Sequence, residues 1–337
     1  MNRFLSRAFF TLVFFCFFEF TLADVRKVPL AKTPAEVRNT ITRIAGAAKI
    51  NHINQRTEAD GTTFEVSITR GGAEREYVVS EYGELLSMEV GLEELPALAR
   101  ATIQRVMGTN HLERIDRMTN DAVQFEVSFE MAKQSREFTV GADGVMTRYE
   151  LNYLELPRII RATVEKNIAT NQIERVDRTF ENGELNYDVQ FTSNGYPRVL
   201  TIGTNAVLSR IEVGLNDTPA TVRKTILAQL RGWKLGDIDK VIEEGEVTYE
   251  VDAKKGRGIR EFTVGANGKL LSETVDLADI PEPARKTIQS KVGAGKITRI
   301  ERSYEEDGTI SFDVESKNGG TSFDFSVGAD GTFLGEN

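Results

Sequence analysis

The sequence is poor in the residues that carry most protein chemistry. Its 337 residues hold one cysteine (Cys16), two histidines (His52 and His111) and one tryptophan (Trp233). Cys16 lies in an apolar, phenylalanine-rich run, Ala8 to Leu22, that follows Arg3 and Arg7 and ends on Thr21-Leu22-Ala23. A positive start, a short apolar run and a small-residue end are the parts of an export signal, with cleavage expected after Ala23. Phe15 precedes Cys16 where a lipid-attachment site needs a small residue, so lipid anchoring is not expected. The mature chain then has no cysteine, which excludes disulfides, thiol nucleophiles and cysteine-based metal sites. The run is short for a spanning helix and none like it follows, so no stable membrane insertion is expected after cleavage.

Positive charge is also in deficit. Lys and Arg number 42 against 51 Asp and Glu, a net of −9 that becomes −10 without residues 1–23. A nucleic-acid footprint needs the opposite balance, as does docking on anionic lipid. Catalytic constellations are missing. No Gly-x-Ser-x-Gly, His-Glu-x-x-His or Gly-x4-Gly-Lys-[Ser/Thr] motif occurs. An enzyme is therefore not expected, and neither is a cofactor or metal.

What the sequence has is a repeat. Prolines fall at Pro34, Pro96, Pro157, Pro219 and Pro281, spaced by 62, 61, 62 and 62 residues. Four residues after each stands an arginine: Arg38, Arg100, Arg161, Arg223 and Arg285. Six after stands a threonine: Thr40, Thr102, Thr163, Thr225 and Thr287. Seven after stands Ile41, Ile103, Val164, Ile226 or Ile288. Proline suits the first turn of a helix, where its missing N–H would be unpaired anyway. Acids two residues earlier (Glu94, Glu155, Asp217, Asp279) suit the positive end of the helix dipole. Apolar residues such as Val37, Ile41 and Ile44 make one helical stripe, and Gly46, Gly108, Gly232 and Gly293 mark helix ends.

The rest of each repeat alternates as strands do. An Ile-x-x-Ile pattern or a near relative comes first (Ile50/Ile53, Leu112/Ile115, Ile173/Val176, Leu235/Ile238, Ile297/Ile300). Hairpin signals follow at Asp60-Gly61, Asn120-Asp121, Asn182-Gly183, Gly245 and Asp307-Gly308. An aromatic-acid-Val triplet comes next, centred on Glu65, Glu126, Asp188, Glu250 and Asp313. A third strand, a Gly-Ala-Asp-Gly type of turn and a short fourth strand complete the unit. The spacing predicts an α+β fold of five tandem modules, each one N-terminal helix packed on a four-stranded antiparallel meander. The expected bounds are 1–23 for the signal, then 24–90, 91–151, 152–213, 214–275 and 276–337. Leu30, Leu92, Tyr153, Leu215 and Leu277 recur at the junctions and are expected to pack there, giving a stiff array.

These motifs resemble the PepSY-like, β-lactamase-inhibitor-like (BLIP-like) module. Leu95-Pro96, Leu156-Pro157 and Ile280-Pro281 match its opening, Tyr249-Glu250-Val251 its middle and Asp330-Gly331 its closing turn. The resemblance covers nearly the whole mature chain. It implies a helix-on-sheet fold, a periplasmic or extracellular location and protein binding rather than catalysis. Members of the wider group inhibit β-lactamases or accompany peptidase precursors. The inhibitor proper has two modules and disulfides, which this chain lacks, so no inhibitory residue carries over.

The polar sheet face is the candidate protein-binding surface, with Glu65, Glu126, Glu137, Asp188, Glu250, Glu261 and Asp313 expected to be exposed on it. On that footing, reversing the charges of Glu126 and Glu137 together should barely change stability. The competing reading of these acids is a solvated face laced with cross-strand ion pairs. The first strands of repeats two and three are more basic than that of repeat four, which points to a specialised face. Trp233 is either core or a partner anchor. The repeated arginine is expected to pair with a nearby carboxylate. The Gly-Ala-Asp-Gly turns lack the further acids of a calcium loop. Two functions are in play: an exported non-enzymatic repeat protein that binds an extracytoplasmic protein and inhibits an enzyme in one form of that reading, and a structural spacer of the envelope without a tight-binding face.

Overall fold

The computed structural model describes residues 24–58, 61–119, 122–168, 171–181, 183–256, 258–305, 307–318 and 321–336. The export segment with Cys16 and the turn residues Asp60, Asn120, Asp121 and Asn182 lie outside them. The chain divides into two compact units. The first runs to Pro197 and includes Ile202–Ala206; the second comprises Arg198–Thr201 and Val207 onward.

In the first unit the order is β1 (Asp24–Lys27), α1 (Ala35–Ala45), β2 (Lys49–Glu58), β3 (Gly61–Arg70), β4 (Ala73–Ser80), β5 (Leu85–Glu89), α2 (Ala97–Met107), β6 (His111–Thr119), β7 (Val123–Met131), β8 (Gln134–Gly141), β9 (Met146–Leu151), α3 (Arg158–Ile168), β10 (Gln172–Glu181) and β11 (Glu184–Ser193). Strand β12 (Tyr196–Gly203) contributes to both units. The second unit continues with β13 (Leu208–Glu212), α4 (Ala220–Leu230), β14 (Lys234–Glu243), β15 (Glu246–Lys255), β16 (Gly258–Gly265), β17 (Leu270–Thr274), α5 (Glu282–Val292), β18 (Lys296–Tyr304), β19 (Ile310–Asn318), β20 (Thr321–Gly328) and β21 (Phe333–Glu336). Each helix starts one residue after its proline, as the spacing predicts.

The strands pair antiparallel, and pairing does not stop at the repeat boundaries. The last strand of one repeat is the edge partner of the first strand of the next: β5 with β6 and β9 with β10 in the first unit, β13 with β14 and β17 with β18 in the second. Strand β1 fills the same place beside β2, with Lys27 opposite Asn54 as Glu89 is opposite Asp116. Main-chain hydrogen bonds, which alternation in a single strand cannot reveal, therefore join the repeats. The junction residues, four leucines and Tyr153, open short 3-10 turns (Leu30–Lys32, Leu92–Glu94, Tyr153–Glu155, Leu215–Asp217 and Leu277–Asp279). Leu30, Leu92, Leu215 and Leu277 pack against their cores from there.

One sheet face meets the helices. In the second repeat Ala99, Ile103 and Met107 pack on Phe125, Val127, Phe129, Phe138 and Val140. Phe64, Phe125, Tyr187, Tyr249 and Phe312, the aromatics of the repeated triplet, are all buried. The Ile-x-x-Ile spacing has a physical cause. Residues three apart on a regular strand face opposite ways, but a bulge after the first apolar residue returns the second to the same side. Bulges sit between Ile50 and His52, Leu112 and Arg114, Ile173 and Arg175, Leu235 and Ile238, and Ile297 and Arg299.

The recurring threonine ties helix to sheet. Its hydroxyl donates to the carbonyl of the turn before the fourth strand: Thr40 to Gly83 at 2.6 Å, Thr102 to Gly144 at 2.8 Å, Thr163 to Ala206 at 2.9 Å, Thr225 to Gly268 at 2.6 Å and Thr287 to Gly331 at 2.8 Å. The turn residue must come very close to the helix. A Cβ on Gly144 would stand 2.9 Å from the Leu98 carbonyl oxygen, and its φ of +83° is itself strained for other residues. The third repeat departs here, holding Ala206 at φ +62°.

Two expectations change. The acids before the prolines close the 3-10 turn rather than the helix. Glu155 accepts from Asn152 N at 2.7 Å and pairs with Arg136 of β8 at 2.8 Å; Asp217 accepts from Gly214 N at 3.0 Å and pairs with Arg198 of β12 at 2.9 Å. Helix α4 ends on Arg231 in the left-handed region, one residue ahead of Gly232.

Candidate functional site

The polar sheet face is organised by rows of acids. Strand register sets Glu89, Asp116 and Glu126 side by side on β5, β6 and β7, then Glu150, Asp177 and Asp188 on β9, β10 and β11. Glu212, Asp239 and Glu250 form the corresponding row on β13, β14 and β15. Like charges directly opposite one another destabilise a sheet, so each row needs cations.

In the first unit arginines supply them. Arg114 lies 2.6 Å from Glu76 and 2.5 Å from Asp116. Arg175 lies 2.7 Å from Glu137 and 2.8 Å from Asp177, with Glu150 at 3.7 Å. Arg148 spans Glu126 at 3.2 Å, Glu137 at 3.5 Å and Asp177 at 3.9 Å. Its guanidinium stem lies across neighbouring strands, and its Nε donates to Thr139 Oγ1 at 3.2 Å. Arg148 and Asp177 are buried as a result. Burial raises Glu126 above the usual carboxylate range, against the pull of Arg148 and with the repulsion of Glu137. Burial acts on Glu137 too, but Arg175 and Arg148 outweigh it and hold that carboxyl low.

The expected exposure of the face is thus corrected. Glu65, Glu126, Glu137, Asp188, Glu250, Glu261 and Asp313 are all half-buried, because each is engaged by its own chain. Glu65 pairs with Arg56 at 2.9 Å, Asp188 accepts from Thr179 at 2.9 Å, and Glu250 pairs with Arg210. Glu261 pairs with Arg299 at 2.5 Å, and Asp313 accepts from Ser303 at 3.1 Å and Ser326 at 2.5 Å. Reversing Glu126 and Glu137 would strand a buried Arg148, so that variant is not neutral for stability.

The second unit is where the compensation fails. Arg210 pairs with Asp239 at 3.0 Å and with Glu250. Asp237 takes the strand position that holds Arg114, Arg175 and Arg299 in other repeats. Among the described residues, no Lys or Arg nitrogen comes within 4.0 Å of the carboxylates of Glu212, Asp237 or Asp252. Burial, then Asp237 and Asp239, push Glu212 up to about 8, against the Val199 N–H that it accepts at 3.2 Å and the more distant Arg198. Burial, Glu261, Asp237 and Asp239 push Asp252 up to about 7, with Lys254 opposing. Burial pushes Asp239 up to about 6; Arg210 opposes it, and Glu250 and Asp237 add to it. Glu212, Arg148, Arg210 and Asp252 were missed as site residues by strand-by-strand alternation. Comparing like positions across repeats and across paired strands finds them.

The remaining candidates have structural surroundings. Trp233 is half-buried and packs on the fourth core, with a Cβ on Gly258 falling only 3.0 Å from its ring. His52 is half-buried on β2 and His111 exposed at the start of β6. The repeated arginine serves the 3-10 turns: Arg100 pairs with Glu93 at 2.8 Å, while Arg38 and Arg223 donate to the carbonyls of Ala31 and Asn216. Turn acids serve their own turns, Asp143 accepting from Val145 N at 3.0 Å and Asp330 from Thr332 N at 2.9 Å. Among the described residues no group of three or more His, Cys, Asp or Glu is arranged to hold a metal ion, and no helix is long and apolar enough to cross a membrane.

No protein-family model matches the chain, and no curated protein matches it significantly. Solved structures do. A DUF2874 family protein from Bacteroides ovatus shares 13% identity, with 37% of this chain and 91% of that chain covered and a TM-score of 0.28. A second DUF2874 family protein, from Bacteroides uniformis, shares 13%, with 34% and 86% covered and a TM-score of 0.27. A BLIP-like protein from Bacteroides fragilis shares 19%, with 35% and 86% covered and a TM-score of 0.26. Likeness of this size leaves function to be argued from the site.

Proposed function

We propose that the chain is an exported, non-enzymatic array of five helix-plus-meander repeats that binds an extracytoplasmic protein through the polar face of its sheet. The observation that carries this reading is that, among the described residues, no Lys or Arg nitrogen of the second unit comes within 4.0 Å of the carboxylates of Glu212, Asp237 or Asp252. The helices cover the other face, so the polar face is the broad surface left to each repeat. In the first unit its acids are satisfied internally by Arg114, Arg148 and Arg175. At Glu212, Asp237 and Asp252 they are not. Exposed acidic charge without a counterion within reach, as at Asp237, steers a complementary partner and makes association sensitive to salt. The export-signal pattern of residues 1–23 supports the location. An extracytoplasmic enzyme is one class of partner, in which case binding would be inhibitory.

The test is capture from an extracytoplasmic extract on the immobilised chain, at low and high salt. A protein retained at low salt, released at high salt and lost with the Asp237→Asn, Asp252→Asn double variant is the expected result. Equal capture by that variant moves the interface off this face. No captured protein in either salt supports a spacer, for which the sheet pairing between repeats is sufficient.

A further inference from the structure

The polar face can be viewed as a series of arginine stations, one per repeat, eighteen residues after the helix-opening proline. Arg114, Arg175 and Arg299 occupy three of them, and their acid partners recur in place. One acid comes from the third strand of the preceding repeat (Glu76, Glu137, Glu261) and one from the same strand two residues on (Asp116, Asp177, Glu301). Others come from the strand before the proline, Glu150 for Arg175 at 3.7 Å, or from the next strand, Glu315 for Arg299 at 3.5 Å.

The fourth station holds Asp237, which is exposed and lies in the bulge between Leu235 and Ile238. Its surrounding acids are nevertheless kept. Glu212 is the counterpart of Glu150, Asp239 of Asp177 and Asp252 of Glu315. Only the third-strand acid is gone, replaced by Val199. Three carboxylates, each of whose counterparts pairs with a guanidinium elsewhere in this chain, thus lie near enough to Asp237 to feel its charge, at a station where the chain supplies no arginine. The other charged groups near these acids are engaged or act only at a distance: Arg210 takes Asp239 and Glu250, Arg299 takes Glu261, Arg198 pairs with Asp217 and pulls on Glu212 from there, and Lys254 acts on Asp252 without forming an ion pair with it.

We propose that this face, around Asp237 on β13 to β15, seats an arginine side chain presented by the partner protein. The inference rests on the protein-binding reading of the sheet face and names the chemistry of its partner. A planar guanidinium suits the seat because its fork engages several carboxylates at once, as Arg175 does with Glu137, Glu150 and Asp177. Because the empty seat favours protonated carboxyls, arginine binding releases protons and strengthens as pH rises from 6 to 8.

The probe is a blocked Gly-Arg-Gly tripeptide, with its citrulline counterpart as the uncharged control, titrated onto the full chain with carbon-13 at its carboxyl groups. The arginine peptide should shift the resonances of Glu212, Asp239 and Asp252 saturably, with a midpoint of about 1 mM for a single side chain, and citrulline should not. Asp237→Arg fills the seat from within and should abolish the response. Arg175→Gln, or Arg114→Gln should that variant fail to fold, should open a second seat and add shifts at the acids it vacates. Equal shifts with citrulline, or an undiminished response in Asp237→Arg, would overturn the proposal. The broader reading fails separately. If a captured protein binds Asp237→Arg as well as wild type, the arginine seat is refuted while face binding stands. If the tripeptide binds and no protein is ever captured, the seat is upheld and the protein-binding reading is lost.

Discussion

Replacing Glu212 by Gln should stabilise the second unit at pH 8 and leave it unchanged at pH 4. Glu212 gives up its proton at about 8 in the folded chain against an ordinary 4.5. Between those values the folded state holds a proton that the unfolded state has released, so stability falls as pH rises through that window. Below about 4.5 both states are protonated and the favourable contribution is fully present; above about 8 it is gone. The full shift corresponds to at most about 5 kcal/mol. Relaxation and water entry around a half-buried carboxylate return much of it, leaving about 2 kcal/mol to recover. Glutamine keeps an oxygen to accept the Val199 N–H and never carries the charge. Urea unfolding followed by Trp233 emission is the assay. The only tryptophan packs on the fourth core and therefore reports this unit. Equal destabilisation of Glu212→Gln at both pH values would refute the reasoning, because it would mean that the carboxylate is ionised and satisfied.

Asp177→Ala, in the corresponding acid row of the first unit, should do the reverse and cost about 3–5 kcal/mol, since it takes a carboxylate from Arg175 and the buried Arg148; a loss under about 1 kcal/mol in urea unfolding contradicts the arginine bracing. Ala206→Gly should raise stability by about 1 kcal/mol by relieving a left-handed alanine, and a lowered midpoint would show that the methyl group packs favourably. Phe125→Ala should cost about 3–5 kcal/mol for a large side chain only 3% exposed, and a loss under about 1 kcal/mol would place that ring outside the core.

Most of the fold was legible because the repeat shows each pattern five times. Helix starts follow from the prolines, and core aromatics from alternation. What was not legible depends on contacts between distant residues. The threonine six after each proline is unremarkable within its helix; its purpose appears only when Thr102 meets the carbonyl of Gly144. Bulges at residues such as Asn51 and Glu113 break strict alternation, so the first-strand face assignments needed the register. The acids of the polar face were identified from the sequence, but their exposure was not. That depends on Arg148 and Arg175 reaching across strands. The deviation at Asp237 was visible in the repeat alignment, yet its consequence required knowing that Glu212, Asp239 and Glu250 sit in one row.

The central claim is that the polar sheet face of the second unit meets a partner. A photo-crosslinking residue at Asp237 on that face, and another at the exposed Leu227 of α4 on the helix side, compare the two surfaces in the native envelope. The account predicts a discrete protein adduct from position 237 and none from position 227. An adduct from position 227 alone, or none from either, would contradict it.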